Sequence, residues 1–149
     1  STNCRQDTDA QRQQRRDLIK LSKHKGFQGI TRHLLPRLLS DTALADEALV
    51  EDVLAMARET GRDGFTSQQT AILGRQEQME TLSGFRAPLL VLCGQLDVLT
   101  PPNLSREMAD LVPHADLCLL DGVGHLSAME APDAVTSAVT NLCKKSGMA

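Results

Sequence analysis

The sequence predicts an α/β fold whose parallel sheet is incomplete, with a helical segment placed before the strands. Apolar residues recur at helical spacing from about residue 9 to residue 83. After Gly84, short uninterrupted apolar runs alternate with helical patterns in the order strand, helix, strand, helix. That order predicts two parallel strands joined by a right-handed crossover.

The first two helices are predicted from their caps and apolar faces. Asp9 is expected to cap the first helix and Gly26 to end it. Pro36 is expected to kink or shorten the second helix, because proline removes a helical hydrogen bond. The apolar face of this second helix is predicted to consist of Phe27, Ile30, Leu34 and Leu38.

Two more helices complete the predicted helical layer. Asp46 is expected to open a third helix, which closes near Gly61. A fourth is expected from about Thr66 to about Arg75.

The strands are predicted at residues 88–94 and 117–120, which are apolar runs typical of strands buried on both faces. Thr100 is expected to cap the helix between them, and Pro132 to begin the last helix. A two-stranded parallel sheet with both faces covered is a poor stand-alone structure. We therefore expect further strands upstream in a parent protein, or a second chain on the exposed edge.

Composition excludes several classes of function. The chain has 149 residues, 41% hydrophobic and 23% charged, which is ordinary for one soluble domain. A net charge of -3 and an aromatic content of 2% argue against a nucleic-acid partner. No spacing of Cys, His, Asp or Glu indicates a metal, and no glycine-rich loop indicates a cofactor. No apolar run suits a membrane span, no signal peptide is present, and the unpaired cysteines favour a reducing cytoplasm.

Two polar segments directly follow the predicted strands. Asp97 ends the segment Gly-Gln-Leu-Asp after the first strand, and His125 ends Asp-Gly-Val-Gly-His after the second. Functional groups of open α/β sheets gather beyond the carboxyl ends of the strands. A buried Asp at this edge can orient an imidazole and stabilise its charged form, while the other ring nitrogen acts as general base.

The segments around this pair resemble α/β-hydrolases. Residues 88–97, followed by Thr-Pro-Pro at 100–102, resemble the last-but-one strand and acid turn of that family. Residues 122–125, followed by Glu-Ala-Pro-Asp at 130–133, resemble its histidine loop and closing helix. The acid also precedes the histidine, as it does in the family.

The resemblance implies a domain organisation and two catalytic residues. It implies that Asp97 is the catalytic acid and His125 the catalytic histidine. Residues 1–85 would form a helical cap, or lid, and residues 86–149 the C-terminal part of the hydrolase core. The cap looks most like those of bacterial esterases and enol-lactone hydrolases related to 3-oxoadipate enol-lactonase.

The family's nucleophile is missing from the sequence. It lies in a Gly-x-Ser-x-Gly-like elbow upstream of the cap, and neither that elbow nor the oxyanion-hole segments occur here. The serines considered fall in predicted helices or loops: Ser67, Ser83, Ser105 and Ser127. Loss of a triad nucleophile costs roughly six powers of ten in turnover in a serine protease, so the isolated chain is expected to be inactive. The chain also lacks a starting Met, so an engineered piece, a processed piece and a fragment of something longer all stay open.

Two functions stay open on these grounds. The chain is either part of a serine-type hydrolase acting on a small carboxylic ester or enol-lactone, with its nucleophile (Ser, or else Cys or Asp) outside the chain. Alternatively it is a non-catalytic, truncated module that self-associates or binds proteins through the exposed sheet edge.

The other candidate residues are predicted to be structural. Glu130 is expected to stabilise the start of the last helix. Gln68 and Gln69 are expected at the surface, with a place in a pocket beneath the cap as the alternative. Three histidines are predicted to be surface residues, namely His24, His33 and His114.

Overall fold

A computed structural model describes residues 2–24 and 29–147 of the chain. We call residues 9–83 the helical segment. It contains α1 (Asp9–Ser22), a 3₁₀ helix (Arg32–Arg37), α2 (Asp41–Leu44), α3 (Glu47–Leu73) and α4 (Met79–Ser83). We call residues 90–145 the sheet segment. It contains β1 (Leu90–Gly94), α5 (Pro102–Asp110), β2 (Asp116–Leu120), α6 (Ser127–Glu130) and α7 (Pro132–Lys145).

The sheet has the predicted strand order and direction. β1 pairs with β2 in parallel, with Leu90 opposite Asp116 and Gly94 opposite Leu120. Within the described residues these two strands are the whole sheet. The helix α5 contacts both strands, and α7 contacts β1. The carboxyl ends of both strands therefore open onto the same edge of the sheet.

Burial differs between the two strands. Val91 and Cys93 of β1 are buried, whereas Leu117 of β2 is 37% exposed. The apolar runs predict two-sided burial for both strands, and β2 departs from that prediction. β2 is thus less completely covered than β1.

The cap of α1 is a correction to the sequence analysis. Asp9 is the first helical residue, and Thr8 is the cap. The Thr8 hydroxyl accepts a hydrogen bond from the Gln11 amide, and the Gln11 side chain accepts one from the Thr8 amide. This reciprocal capping box satisfies two amides that the helix leaves free. The predicted end at Gly26 lies outside the described residues.

The second predicted helix is shorter and tighter than expected. Of the described residues in this stretch, only Arg32–Arg37 are helical, as a 3₁₀ helix with Pro36 inside it. Proline cannot supply the amide hydrogen bond of an α-helix, and short 3₁₀ turns accommodate it better. The altered period also changes the buried face, because Leu35 is 2% exposed and Leu34 is 37% exposed. Phe27 lies outside the described residues.

The third and fourth predicted helices adjoin at Gly61. As predicted, Asp46 caps α3, accepting hydrogen bonds from two amides of its first turn. Gly61 interrupts α3 with φ 60° and ψ -175°. The residues after Gly61 are already helical, so the fourth helix begins before Thr66. A short helix, α4, follows that the sequence analysis did not predict.

The larger apolar core lies in the helical segment and receives residues from the sheet segment. Its buried members are Leu35, Leu39, Ala43, Val50, Val53 and Leu54. Leu126 and Met129 pack against this cluster from the loop and helix that follow β2. The helical segment is thus packed on the residues that carry the predicted catalytic histidine.

Backbone hydrogen bonds reinforce that contact. The Leu38 carbonyl accepts the amide of His125 at 2.9 Å and the amide of Leu126 at 3.2 Å. One carbonyl of the helical segment therefore holds the backbone on which the histidine is mounted.

Glu130 forms a second link between the segments. Its Oε2 accepts the amides of Gly124 and Ser40, each at 3.0 Å. A Cβ on Gly124 would lie 2.9 Å from Glu130 Oε1 and from the Ser40 nitrogen, so only glycine permits this approach. The carboxylate thus joins the histidine loop to the helical segment, a different structural role from the predicted one at the start of α7.

No helix within residues 2–24 and 29–147 combines the length and apolar character needed to cross a membrane.

We expect Glu130→Ala to destabilise the fold, because it removes the acceptor for two amides of buried residues. The free energy of unfolding should fall by about 2 kcal/mol or more, measured by urea denaturation. Asp133→Ala is the control, since Asp133 is an exposed acid in the first turn of α7. If Glu130→Ala lowers the free energy of unfolding no more than Asp133→Ala does, Glu130 only stabilises the start of α7. That result would contradict its role in joining the histidine loop to the helical segment.

Candidate active site

Asp97 and His125, the residues predicted to form the site, lie together beyond the strand ends. Asp97 is in the turn after β1, and His125 is in the loop after β2. Asp97 Oδ2 and His125 Nδ1 are 2.9 Å apart. The Asp97 side chain is fully buried and that of His125 is 22% exposed. A buried carboxylate therefore contacts an imidazole that keeps access to the surface.

A close approach of two loops creates this geometry. The Leu96 amide donates to the Val123 carbonyl at 2.9 Å. A Cβ on Gly94 would lie 2.2 Å from the carbonyl oxygens of Val123 and Gly124, which no side chain permits. The glycine that ends β1 thus lets the acid turn and the histidine loop touch.

The carboxylate of Asp97 is fixed by donors from its own turn. Its Oδ1 accepts the amides of Leu99 and Thr100, each at 2.9 Å. Its Oδ2 accepts the Thr100 hydroxyl at 2.8 Å, beside the bond to His125. A buried carboxylate requires such donors to offset its lost hydration.

Thr100 is a functional residue whose role the sequence analysis missed. It is predicted to cap the next helix, but Pro101 occupies the cap position of α5 without a side-chain bond. The Thr100 hydroxyl binds Asp97 instead. The spacing Asp-x-x-Thr, in which a side chain bonds backbone and hydroxyl groups two and three residues on, is the signal that predicts this turn.

The hydrogen bond sets the proton position on His125. An ionised carboxylate only accepts, so Nδ1 carries the proton that points to Asp97. The neutral ring then presents Nε2 with a free lone pair. This is the arrangement that a general base requires.

No serine occupies either strand-to-helix turn of the described chain, at residues 95–101 or 121–126. Ser127, expected in a loop, is the buried first residue of α6. Ser67 lies in α3, Ser83 ends α4, and Ser105 is buried in α5.

The remaining histidines lie at the surface and form no metal site within the described residues. His24, His33 and His114 are exposed as predicted, and His114 Nε2 lies 3.0 Å from the Ala87 carbonyl. Among the residues that the structure describes, no group of His, Cys, Asp and Glu is arranged to hold a metal ion.

An apolar cavity of about 120 Å³ lies beside the histidine loop. We call it the α3 pocket. Its lining includes Ile30, Leu38, Val53, Ala57, Phe65 and Leu126. Gln68 also lines it, whereas Gln69 accepts a hydrogen bond from Arg15. Gln68 is exposed at the surface, as predicted, and it also borders this cavity.

Solved structures with this fold include two hydrolases. A thermophilic esterase from Thermogutta terrifontis superposes with a TM-score of 0.89 and 26% identity, over 97% of this chain and 53% of that one. An enol-lactonase from Burkholderia xenovorans LB400 gives a TM-score of 0.77 and 25% identity, over 96% and 54%.

Sequence comparison gives a shorter match to BpoC of Mycobacterium tuberculosis, provisionally named a non-heme bromoperoxidase. The identity is 43% over 53 residues, which are 36% of this chain and 20% of that protein. The chain spans about half the length of the two solved structures, 53% and 54%.

The family model described as the α/β-hydrolase fold matches residues 5–132. Together with the parallel strands and the strand-end position of Asp97 and His125, this match establishes that the chain belongs to the α/β-hydrolase fold family.

Proposed function

We propose that the chain supplies the acid and the histidine of a serine-type hydrolase that acts on a small carboxylic ester or enol-lactone. The observation that carries the proposal is the buried Asp97 carboxylate bound to His125 Nδ1 at 2.9 Å. The likeness to an esterase and an enol-lactonase supports the reaction class.

In this mechanism His125 moves the proton in both halves of the reaction. Its Nε2 takes the proton of a serine hydroxyl as the serine oxygen attacks the substrate carbonyl carbon. The imidazolium then gives that proton to the departing alkoxide or enolate oxygen, which leaves an acyl-enzyme. Water attacks the acyl carbon in the same way and releases the acid and the serine. Asp97 holds the ring and stabilises its charge.

The nucleophile of the proposed enzyme lies outside this chain. Support comes from the absence of serine in the two strand-to-helix turns of the described residues, and from a chain that spans 53% of the esterase. Residues 86–149 are then the C-terminal part of the core, and residues 1–85 the cap that covers the site and excludes water. The free cysteines favour a reducing cytoplasm as its location.

A non-catalytic module is the second candidate. It is favoured by Leu117, which is 37% exposed on β2 and offers apolar sheet surface to a second copy or another protein.

We expect His125→Ala to abolish ester hydrolysis in the protein that carries this chain and a nucleophile. Loss of the base should lower kcat about 10⁴-fold or more, measured with p-nitrophenyl acetate. His114→Ala is the control, because His114 is exposed in the loop before β2 and its ring meets a backbone carbonyl, that of Ala87. An unchanged rate in His125→Ala would overturn the assignment.

Asp97→Asn should lower kcat by roughly 10²- to 10⁴-fold with a smaller change in KM, because an amide facing Nδ1 favours the wrong tautomer. Thr100→Val removes one hydrogen bond to the carboxylate and leaves the charge, so we expect a loss of about tenfold. Steady-state kinetics should show a larger fall in kcat for Asp97→Asn than for Thr100→Val. Equal rates for Asp97→Asn and the wild type would contradict the role of Asp97.

The two candidate functions are separated by a fluorophosphonate probe, which labels only activated serines: a hydrolase that carries this chain should be labelled at a serine outside it, and a non-catalytic module should not be labelled at all. The 149-residue chain by itself should remain unlabelled, and an esterase of the same family is the positive control. Labelling of a serine in this chain would contradict an external nucleophile. If light scattering shows that the chain is a stable monomer, that result would count against a self-associating, non-catalytic module.

A further inference from the structure

We propose that Glu130 is a positioning residue for His125, which acts by hydrogen bonding the histidine loop to the helical segment and not through its negative charge. Glu130 takes no proton in this scheme. Its effect on the rate, which rests on the proposed function, comes from where it holds the loop that carries the base.

Two hydrogen bonds to one oxygen atom carry the proposal, and we call them the Glu130 link. Glu130 Oε2 accepts the amide of Gly124, the residue directly before His125, and the amide of Ser40, each at 3.0 Å. Gly124 and Ser40 are both buried. Loss of the carboxylate would leave two buried amides without an acceptor, so the backbone on both sides would have to rearrange.

The Glu130 link completes the attachment of the histidine loop. The Leu38 carbonyl accepts the amides of His125 and Leu126 at 2.9 and 3.2 Å. The link binds the amide of the residue before them, so all three amides of residues 124–126 are held. His125 is the central residue of the three, and its Cα is therefore fixed from both sides along the chain.

Asp97 alone does not fix the direction of His125 Nε2. Its bond to Nδ1 holds one atom of the ring, and the ring can still turn about that atom when the backbone below it moves. A general base must lie about 2.6 to 3.2 Å from the atom whose proton it takes. A displacement of about 1 Å can lower a rate about 100-fold.

Loss of the Glu130 link should therefore act on kcat. The base would be displaced from the proton that it must take, and proton transfer limits the chemical step. KM should change little, because the link joins backbone amides of this chain and binds no part of the substrate.

The carboxylate serves as an acceptor, because both bonds of the link end on Oε2. Its Oε1 is buried and has no hydrogen-bond partner among the described residues. In Glu130→Gln the carbonyl oxygen can take the place of Oε2 and accept both amides without a charge. In Glu130→Asp the charge stays, but the shorter side chain withdraws the oxygen by about one bond length. The two variants thus separate the position of the acceptor from its charge.

Asp46→Ala is the matched control. Asp46 Oδ1 accepts the amides of Ala48 and Leu49 at 3.0 and 3.1 Å, so this variant also removes one carboxylate oxygen that binds two amides. Those amides lie in the first turn of α3 and not in the histidine loop. A loss of activity that came from lower stability alone would appear in this control as well.

The test is steady-state kinetics with p-nitrophenyl acetate, on the protein that carries this chain and a nucleophile. Rates are measured at a temperature at which circular dichroism shows each variant to be folded. We expect Glu130→Ala and Glu130→Asp to lower kcat about 10- to 100-fold, with KM within about threefold of the wild type. Glu130→Gln and Asp46→Ala should keep kcat within about threefold.

Three results would overturn the proposal. The first is a kcat of Glu130→Ala no lower than that of Asp46→Ala, and the second is a change in KM alone. The third is a kcat as low in Glu130→Gln as in Glu130→Asp, which would give the effect to the lost charge. If Glu130→Ala does not fold, Glu130→Asp takes its place in each comparison.

The Nδ1 proton of His125 gives a second measurement that needs no turnover. In the 149-residue chain, its NMR signal should broaden or disappear in Glu130→Ala and Glu130→Asp, because a looser loop lets the ring leave Asp97. The signal should persist in Glu130→Gln. An unchanged signal in Glu130→Ala and Glu130→Asp would contradict the positioning role.

Failure of the positioning role is distinguishable from failure of the hydrolase mechanism. If the signals follow the expected order but His125→Ala keeps its esterase activity, Glu130 still positions the ring and the mechanism is wrong. If hydrolysis requires His125 and Glu130→Ala is as fast as Asp46→Ala, the mechanism stands and the positioning role is wrong.

Discussion

The contact of the acid turn with the histidine loop is the constraint on which the site depends. Gly94 ends β1 within van der Waals reach of the Val123 and Gly124 carbonyls, an approach that any Cβ would block. Parallel pairing brings both loops to one edge, and this contact brings them close enough for the Asp97–His125 hydrogen bond. The chemistry of the pair therefore follows from a backbone requirement several residues away.

The helical segment stabilises the same loop from the other side. The Leu38 carbonyl holds the His125 amide, and Glu130 joins Gly124 to Ser40. An imidazole mounted on a loop that is fixed at both ends changes orientation little, which a general base requires. Leu38, whose carbonyl holds the His125 amide, also borders the α3 pocket.

Features that depend on neighbouring residues could be predicted from the sequence, whereas contacts between residues far apart in the chain could not. The strands, their parallel order and the Asp97–His125 pair followed from short apolar runs and the polar residues after them. The Thr8 cap was missed although Gln11 stands three residues later, because Asp9 is an equally good capping residue. Glu130 was misassigned because its partner Ser40 is 90 residues away, and no local pattern encodes that bond.

The protonation state of the His125 ring is the most direct measure of the central claim. Nitrogen-15 and proton NMR of the chain at alkaline pH distinguish a proton on Nδ1 from one on Nε2. The account predicts the Nδ1-protonated form, with a strongly downfield Nδ1 proton that disappears in Asp97→Asn. A ring protonated on Nε2, or one that exchanges freely between the two forms, would contradict it.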